Sequence, residues 1–150
     1  VKETVNESEI RTILCNPEIY DTIASDDCPA IDDFDIPFYN HRYVAGYVNG
    51  EIMALMVYHT YRDGTKCHVQ VLPEYRKEYA HKFGEQSLLH RGTQQLYAEI
   101  ASKYQNVLDF ALIFGFEILD KNVGDYKKNG QLYDTYILRF NDGFHTRLNR

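Results

Sequence analysis

Val69-Gln-Val-Leu-Pro-Glu-Tyr-Arg76, running on as Lys77-Glu-Tyr-Ala-His-Lys-Phe-Gly-Glu-Gln-Ser-Leu88, decides how this 150-residue chain reads. An apolar, strand-like segment passes through Pro73 to Arg76 into a polar, helix-like one. A strand that hands its chain to a helix N-terminus makes a ready anion site, because the first helical turn leaves backbone N–H groups unpaired. The helix after Arg76 places Ala80, Gly84 and Leu88 on one stripe, with small residues where it lies close to a sheet. Gly92 is expected to end it.

Upstream, Tyr43 to Val48 and Glu51 to Tyr61 flank Asn49-Gly50, a strong hairpin signal because both turn positions tolerate positive φ. Asp63-Gly64 predicts another turn and Cys67 to Leu72 a third strand, which together make an antiparallel meander. Before it, Val1 to Val5 reads as a short strand. Asn6 or Ser8 then caps a helix through Leu14, with Ile10, Ile13 and Leu14 on one face. A second helix starts at Asn16-Pro17, and Ser25 to Pro37, rich in Asp, reads as a loop. Downstream, Leu96 to Ala101 predicts a strand and Gln105 to Phe114 a helix ended by Gly115. Phe116 to Asn122 and Tyr133 to Phe140 are strands about the turn at Asn129-Gly130. The order β-α-α-β-β-β-α-β-α-β-β implies an α/β sandwich with a mixed sheet, in one domain over 1–150.

Composition excludes several classes. Net charge is −6, which argues against general nucleic-acid binding, since phosphate contacts need clustered Lys and Arg. No apolar run approaches the roughly 18 residues of a membrane span, and Lys2, Glu3, Glu7 and Glu9 interrupt any leader-like start. Cys15, Cys28 and Cys67 have no metal-like spacing and read as reduced thiols of a cytoplasmic protein. His41, His59, His90 and His145 lie scattered, so no metal site is expected. The Asp26-Asp27 and Asp32-Asp33-x-Asp35 cluster lacks the glycine and terminal Glu of a calcium loop and reads as a solvated acidic loop. Thirteen tyrosines with no tryptophan suggest a sheet-rich protein with a partner surface.

Val69 to Arg76 resembles the fourth strand and cofactor loop of the GCN5-related N-acetyltransferases (GNAT superfamily). Leu96-Tyr-Ala-Glu-Ile, Asn106 and the Phe114-Gly-Phe-Glu117 that follows are similar to that family's fifth strand, helix and sixth strand. The resemblance covers nearly the whole chain. It implies a mixed, mostly antiparallel central sheet flanked by helices, and acetyl transfer from acetyl-CoA to a small-molecule or protein amine. Val69, Val71 and Leu72 would pair with the pantetheine arm. Arg76, Lys77, Tyr79, Ala80 and His81 would surround the pyrophosphate, with Asn106 as a further cofactor contact. His68 or Glu99 would be the base, Glu99 only with its pKa raised, and Tyr104 a nearby acid. Three positions depart from the pattern: Tyr79 and His81 stand where glycine and glycine or alanine belong, and Ala111 where a tyrosine often stands. Such departures also resemble short acetyltransferase-like proteins of tailed bacteriophages. That alternative implies a catalytically silent component binding phage structural proteins, virion-associated or in the infected cytoplasm. A homodimer fits either.

Overall fold

The computed structural model describes residues 1–141. The elements are β1 (Lys2–Thr4), α1 (Glu7–Leu14), α2 (Pro17–Ile23), β2 (His41–Val48), β3 (Glu51–Tyr61), β4 (Gly64–Val71), α3 (Arg76–Leu88), β5 (Leu96–Ala101), α4 (Gln105–Ile113), β6 (Phe116–Lys128) and β7 (Gln131–Phe140). Single 3-10 turns span Ile31–Asp33 and Pro73–Tyr75. The strands form a mixed sheet ordered β1-β2-β3-β4-β5-β7-β6, with β4 and β5 parallel. The β1–β2, β2–β3, β5–β7 and β6–β7 pairs are antiparallel, so the α/β, mostly antiparallel expectation holds. The chain groups into two compact units: Val1–Thr60 with Cys67–Thr93, and Tyr61–Lys66 with the chain from Gln94 on.

In the first unit Asn6 caps α1 by accepting the Glu9 N–H, and Asn16 caps α2 by accepting those of Glu18 and Ile19. Ile10, Ile13, Leu14 and Ile19 then bury against Tyr43, Ala45, Leu55 and Val57 on one face of β2 and β3. The alternation of the strand pleat sends Val44, Ala54, Met56 and Tyr58 to the opposite face. There α3 packs: a Cβ on Gly46 would stand 2.6 Å from the Phe83 ring, so glycine is what lets that ring reach β2. The Tyr58 hydroxyl donates to the Ser87 carbonyl at 2.7 Å. The β2–β3 turn is as read, with φ of +51° at Asn49 and +80° at Gly50. Gly92, expected to end α3, lies beyond its end; the helix stops at Leu88 with an ordinary helical Leu89 at its cap.

In the second unit the turn before β4 falls at Arg62, whose φ is +49°, and Asp63, one residue earlier than predicted. Gly64 is already in the strand, and its glycine answers a different need. A Cβ there would stand 2.1 Å from the Gln95 carbonyl oxygen, which accepts the Thr65 N–H beside it. Gly115 ends α4 at φ +99°, as predicted. β6 runs on to Lys128 instead of stopping at Asn122, because register shifts after Ile118 and Asn122 take up the extra residues. At the second shift Gly124 adopts φ +65° and donates its N–H to Asp134 Oδ1.

Tyrosine hydroxyls fasten loops and neighbours inside each unit. Tyr20 donates to the Pro29 carbonyl, Tyr43 to that of Pro37 and Tyr47 to Glu9. In the second unit Tyr61 donates to Glu99 and Tyr97 to Asp63. No helix among the described residues is long and apolar enough to cross a membrane.

Candidate active site

The loop between β4 and α3 is placed by a bulge. Between Gly46 and Tyr47 the β2–β3 register slips past Met53, and the Met53 carbonyl accepts the Leu72 N–H at 2.9 Å. Leu72 is buried in the core beside α1 and α2, and Tyr75 packs against the same cluster. The chain then turns: the Tyr75 N–H donates to the Leu72 carbonyl and the Arg76 N–H to that of Pro73. Arg76 Nε donates to the Val71 carbonyl at 3.0 Å, which anchors the base of its side chain at the start of α3. No side chain caps α3, and Arg76 and Lys77 are exposed in its first turn. An uncapped helix start with two cations beside it has the donors and the charge to hold an anion.

The remaining predicted loop residues divide. Val71 is buried and Val69 half-buried on β4, while Ala80 is half-buried on α3. The Tyr79 ring lies 6.1 Å from that of Tyr75 at 58°, so it is fixed against a core-packed neighbour. His81 is exposed and paired with Glu85 one helical turn on, Nε2 to Oε1 at 3.0 Å.

His68, the predicted base, meets a second histidine from the neighbouring strand segment. His59 on β3 and His68 on β4 meet Nε2 to Nε2 at 2.9 Å. Their ring centroids are 5.1 Å apart with planes 12° apart. That separation is the nitrogen–nitrogen distance plus one ring radius on each side. The two imidazoles therefore meet edge to edge, nitrogen facing nitrogen, and are not stacked face to face. His59 Nδ1 lies 3.0 Å from the Thr60 carbonyl oxygen. Across β2, His41 is opposite His59 in register, with ring centroids 4.9 Å apart, and its Nδ1 donates to the Tyr39 carbonyl at 2.7 Å. The available signal was hairpin arithmetic: two histidines nine positions apart astride a short turn. His145 lies outside the described residues. No group of three or more His, Cys, Asp or Glu among the described residues could hold a metal ion.

Glu99, Tyr104 and Asn106 belong to the second unit. Glu99 on β5 accepts from the Tyr61 hydroxyl on one oxygen and from Lys66 Nζ, at 3.0 Å, on the other. Burial pulls its carboxyl upward, but the hydrogen bonds from Tyr61 and Lys66 and the charges of Lys66 and Arg62 outweigh it and hold the group below the usual range. The raised pKa a base would need is thus corrected: a carboxylate tied to two donors is a poor proton acceptor. The same bond works on Tyr61, whose hydroxyl is pushed up to about 12, first by burial and then by Glu99. Tyr104 opens α4, its carbonyl accepting from Val107 and Leu108, and its hydroxyl lies 3.4 Å from that of Tyr126. Asn106 is exposed in the first turn of α4.

No protein-family model matches the chain, and no curated protein matches it. Solved structures do. One is a spermidine N-acetyltransferase from Vibrio cholerae in complex with CoA and spermine, at TM-score 0.74 and 13% identity over 95% of each chain. A protein designated a phosphinothricin N-acetyltransferase matches at TM-score 0.70 and 16% identity, over 91% of this chain and 94% of its own. The smu.2055 protein of Streptococcus mutans UA159 matches at TM-score 0.70 and 13% identity, over 89% of this chain and 92% of its own. At these identities the likeness is one of fold: the chain has the fold of the GCN5-related N-acetyltransferases.

Proposed function

We propose that the protein transfers an acyl group, acetyl first among the candidates, from a coenzyme A thioester to an amine. The observation that carries the reading is the β4–α3 turn. In a fold shared with a CoA-bound neighbour, α3 starts without a side-chain cap and with Arg76 and Lys77 exposed in its first turn. The helix N-terminus, Arg76 and Lys77 would favour a diphosphate there, against the single carboxylate of Glu78 in the same turn. Val69 and Val71 would line the pantetheine arm, whereas the Leu72 N–H and carbonyl are already paired with Met53 and Tyr75. Tyr79 and His81 replace the smaller residues of the pattern. The Tyr79 ring is packed on Tyr75, and His81, two positions on, is turned to Glu85.

An amine is protonated at neutral pH and must lose a proton before it attacks the thioester carbonyl. His68 is the proposed acceptor, because an imidazole titrates near neutrality and Glu99 is held as a tied carboxylate. The net charge of −6 and the acidic stretch Ser25 to Pro37 favour a cationic acceptor such as a polyamine.

Thermal unfolding with CoA near millimolar tests the binding half. A site with Kd of about 10 μM should stabilise by about 2.7 kcal/mol and raise the melting temperature by about 5–11 °C. Arg76→Glu should abolish the shift, while the ligand-free melting temperature falls only by the few degrees that the lost bond to the Val71 carbonyl accounts for. No shift in the natural protein overturns the reading. A shift without turnover on polyamine, peptide and aminoglycoside panels would instead describe a binding scaffold, an alternative that neither the fold nor its neighbours favour.

A further inference from the structure

We infer that His59 sets the tautomer of His68, so that His68 presents Nδ1 as a proton acceptor and shares the positive charge it gains. The inference rests on the acyl-transfer reading for its purpose, but not for its geometry. A carbonyl oxygen only accepts, so the His59 nitrogen 3.0 Å from the Thr60 oxygen, Nδ1, carries a hydrogen. Neutral His59 therefore has its lone pair on Nε2. That nitrogen faces His68 Nε2 at 2.9 Å, edge to edge, and two lone pairs cannot face each other at that distance. The hydrogen between them belongs to His68 Nε2, which leaves the lone pair of neutral His68 on Nδ1. The backbone of β3 thus dictates, through one ring, which nitrogen of the next is basic.

The consequence for proton transfer follows. When His68 Nδ1 takes a proton from a substrate ammonium, directly or through a water, the N–H bond of the ammonium breaks and a new one forms at Nδ1. The amine keeps its electron pair and becomes the nucleophile toward the thioester. His68, now imidazolium, donates a charge-assisted hydrogen bond to His59 Nε2, which is stronger than the neutral one it replaces. The pair accepts one proton readily. It resists a second, because His59 Nε2 would then carry a hydrogen facing another hydrogen. His59 is a positioning residue in this scheme, and the substrate does not touch it. In the first unit the titratable ring beside the pair from β2 is His41, whose Nδ1 hydrogen is likewise directed to a carbonyl, that of Tyr39.

Two measurements on the full chain test it. Long-range 1H–15N correlation of the uniformly labelled protein above pH 7.5 reads tautomers with no need for activity. His59 should appear as the Nδ1–H form and His68 as the Nε2–H form. A His68 in the Nδ1–H form overturns the inference and leaves acyl transfer untouched. In kinetics with an accepted amine, His59→Leu should lower kcat about 10-fold or more, within the range for general-base catalysis, with the amine KM little changed. The acidic limb of its kcat/KM profile should move by about a pH unit as charge sharing is lost. His59→Gln can still accept from His68 Nε2–H through its amide oxygen and should recover most of the rate. A His59→Leu profile that superimposes on the natural one, or a His59→Gln variant as slow as His59→Leu, refutes the assigned role. Full activity in His68→Asn sinks both the inference and the proposed base.

Discussion

Glu99 is the residue where type was legible and role was not. A carboxylate on the fifth strand stood out in the sequence, but its donors, Tyr61 and Lys66, come from a turn more than thirty positions upstream. Their arrival depends on tertiary pairing that no local pattern records. Lys66 and Glu99 are both mostly shielded, at 14% and 24% side-chain exposure, so removing one partner leaves the other unbalanced. Glu99→Ala should destabilise by about 2–3 kcal/mol, and Glu99→Gln by less, since the amide oxygen can still accept from Tyr61. Chemical denaturation of the three proteins at pH 7 checks the order. Because folding lowers the Glu99 pKa, its contribution is present above the ordinary carboxyl range and is lost as pH falls through the folded value. The gap between natural and Glu99→Gln stabilities should therefore close on acidification. Gly64 makes the complementary point: it was legible as turn glycine, yet it serves a close backbone approach. Gly64→Ala should destabilise by about 2–3 kcal/mol, because the Gln95 carbonyl in its way is backbone and cannot swing aside.

At the scale of elements, whatever depends on neighbours in sequence was readable. Asn49-Gly50 and Asn129-Gly130 adopt positive φ at both positions, and Asn6 and Asn16 cap the helices they precede. These are local hydrogen-bond and steric facts, true of the peptide before the fold exists. The end of α3 and the length of β6 were not readable. The first is settled where α3 meets β2 and β3, through Phe83 and Ser87, and the second by pairing with β7 across two bulges. The contrast gives a paired prediction. Asn16→Ala removes an acceptor from two helix N–H groups and should cost about 1 kcal/mol. Gly92→Ala should cost nothing, or stabilise by about 0.4–1 kcal/mol through the unfolded chain. Its φ is ordinary, and a Cβ there meets nothing within 4 Å. A loss of 1 kcal/mol or more at Gly92 would mean that it does close the helix after all. For the candidate site the same division holds. The strand-to-helix turn is written in consecutive residues, whereas the His59–His68 contact needs the register of two strands.

Across the molecule, the abundance of tyrosine couples stability to pH. The sequence suggested a partner surface, but many of the rings are core residues whose hydroxyls donate to loop carbonyls or carboxylates. Burial pushes Tyr43 up to about 12 and raises Tyr58 as well. Tyr61 rises to about 12, by burial and then Glu99, and the hydrogen bond to Asp63 with burial raises Tyr97. Tyr20 and Tyr47 rise chiefly by burial. In each case the folded state favours the neutral phenol over its ordinary value near 10, so the unfolded chain gives up its protons first as pH rises. The stabilisation from these shifts is complete below about pH 10 and declines from there to about 12, each ring that resists ionisation adding to the slope. The urea midpoint should therefore hold steady from neutrality to about pH 9 and fall steeply above 10. The tyrosinate absorbance of these six rings should rise with unfolding and not ahead of it. Tyr43→Phe isolates one ring. At pH 7 it should be less stable by about 1 kcal/mol, for the lost bond to Pro37. Its alkaline decline should be shallower, so that the two midpoints converge as pH approaches 12. Parallel curves, or a Tyr43 phenol that ionises near 10 in a still-folded protein, would show that its hydroxyl is open to solvent and that packing does not hold its proton.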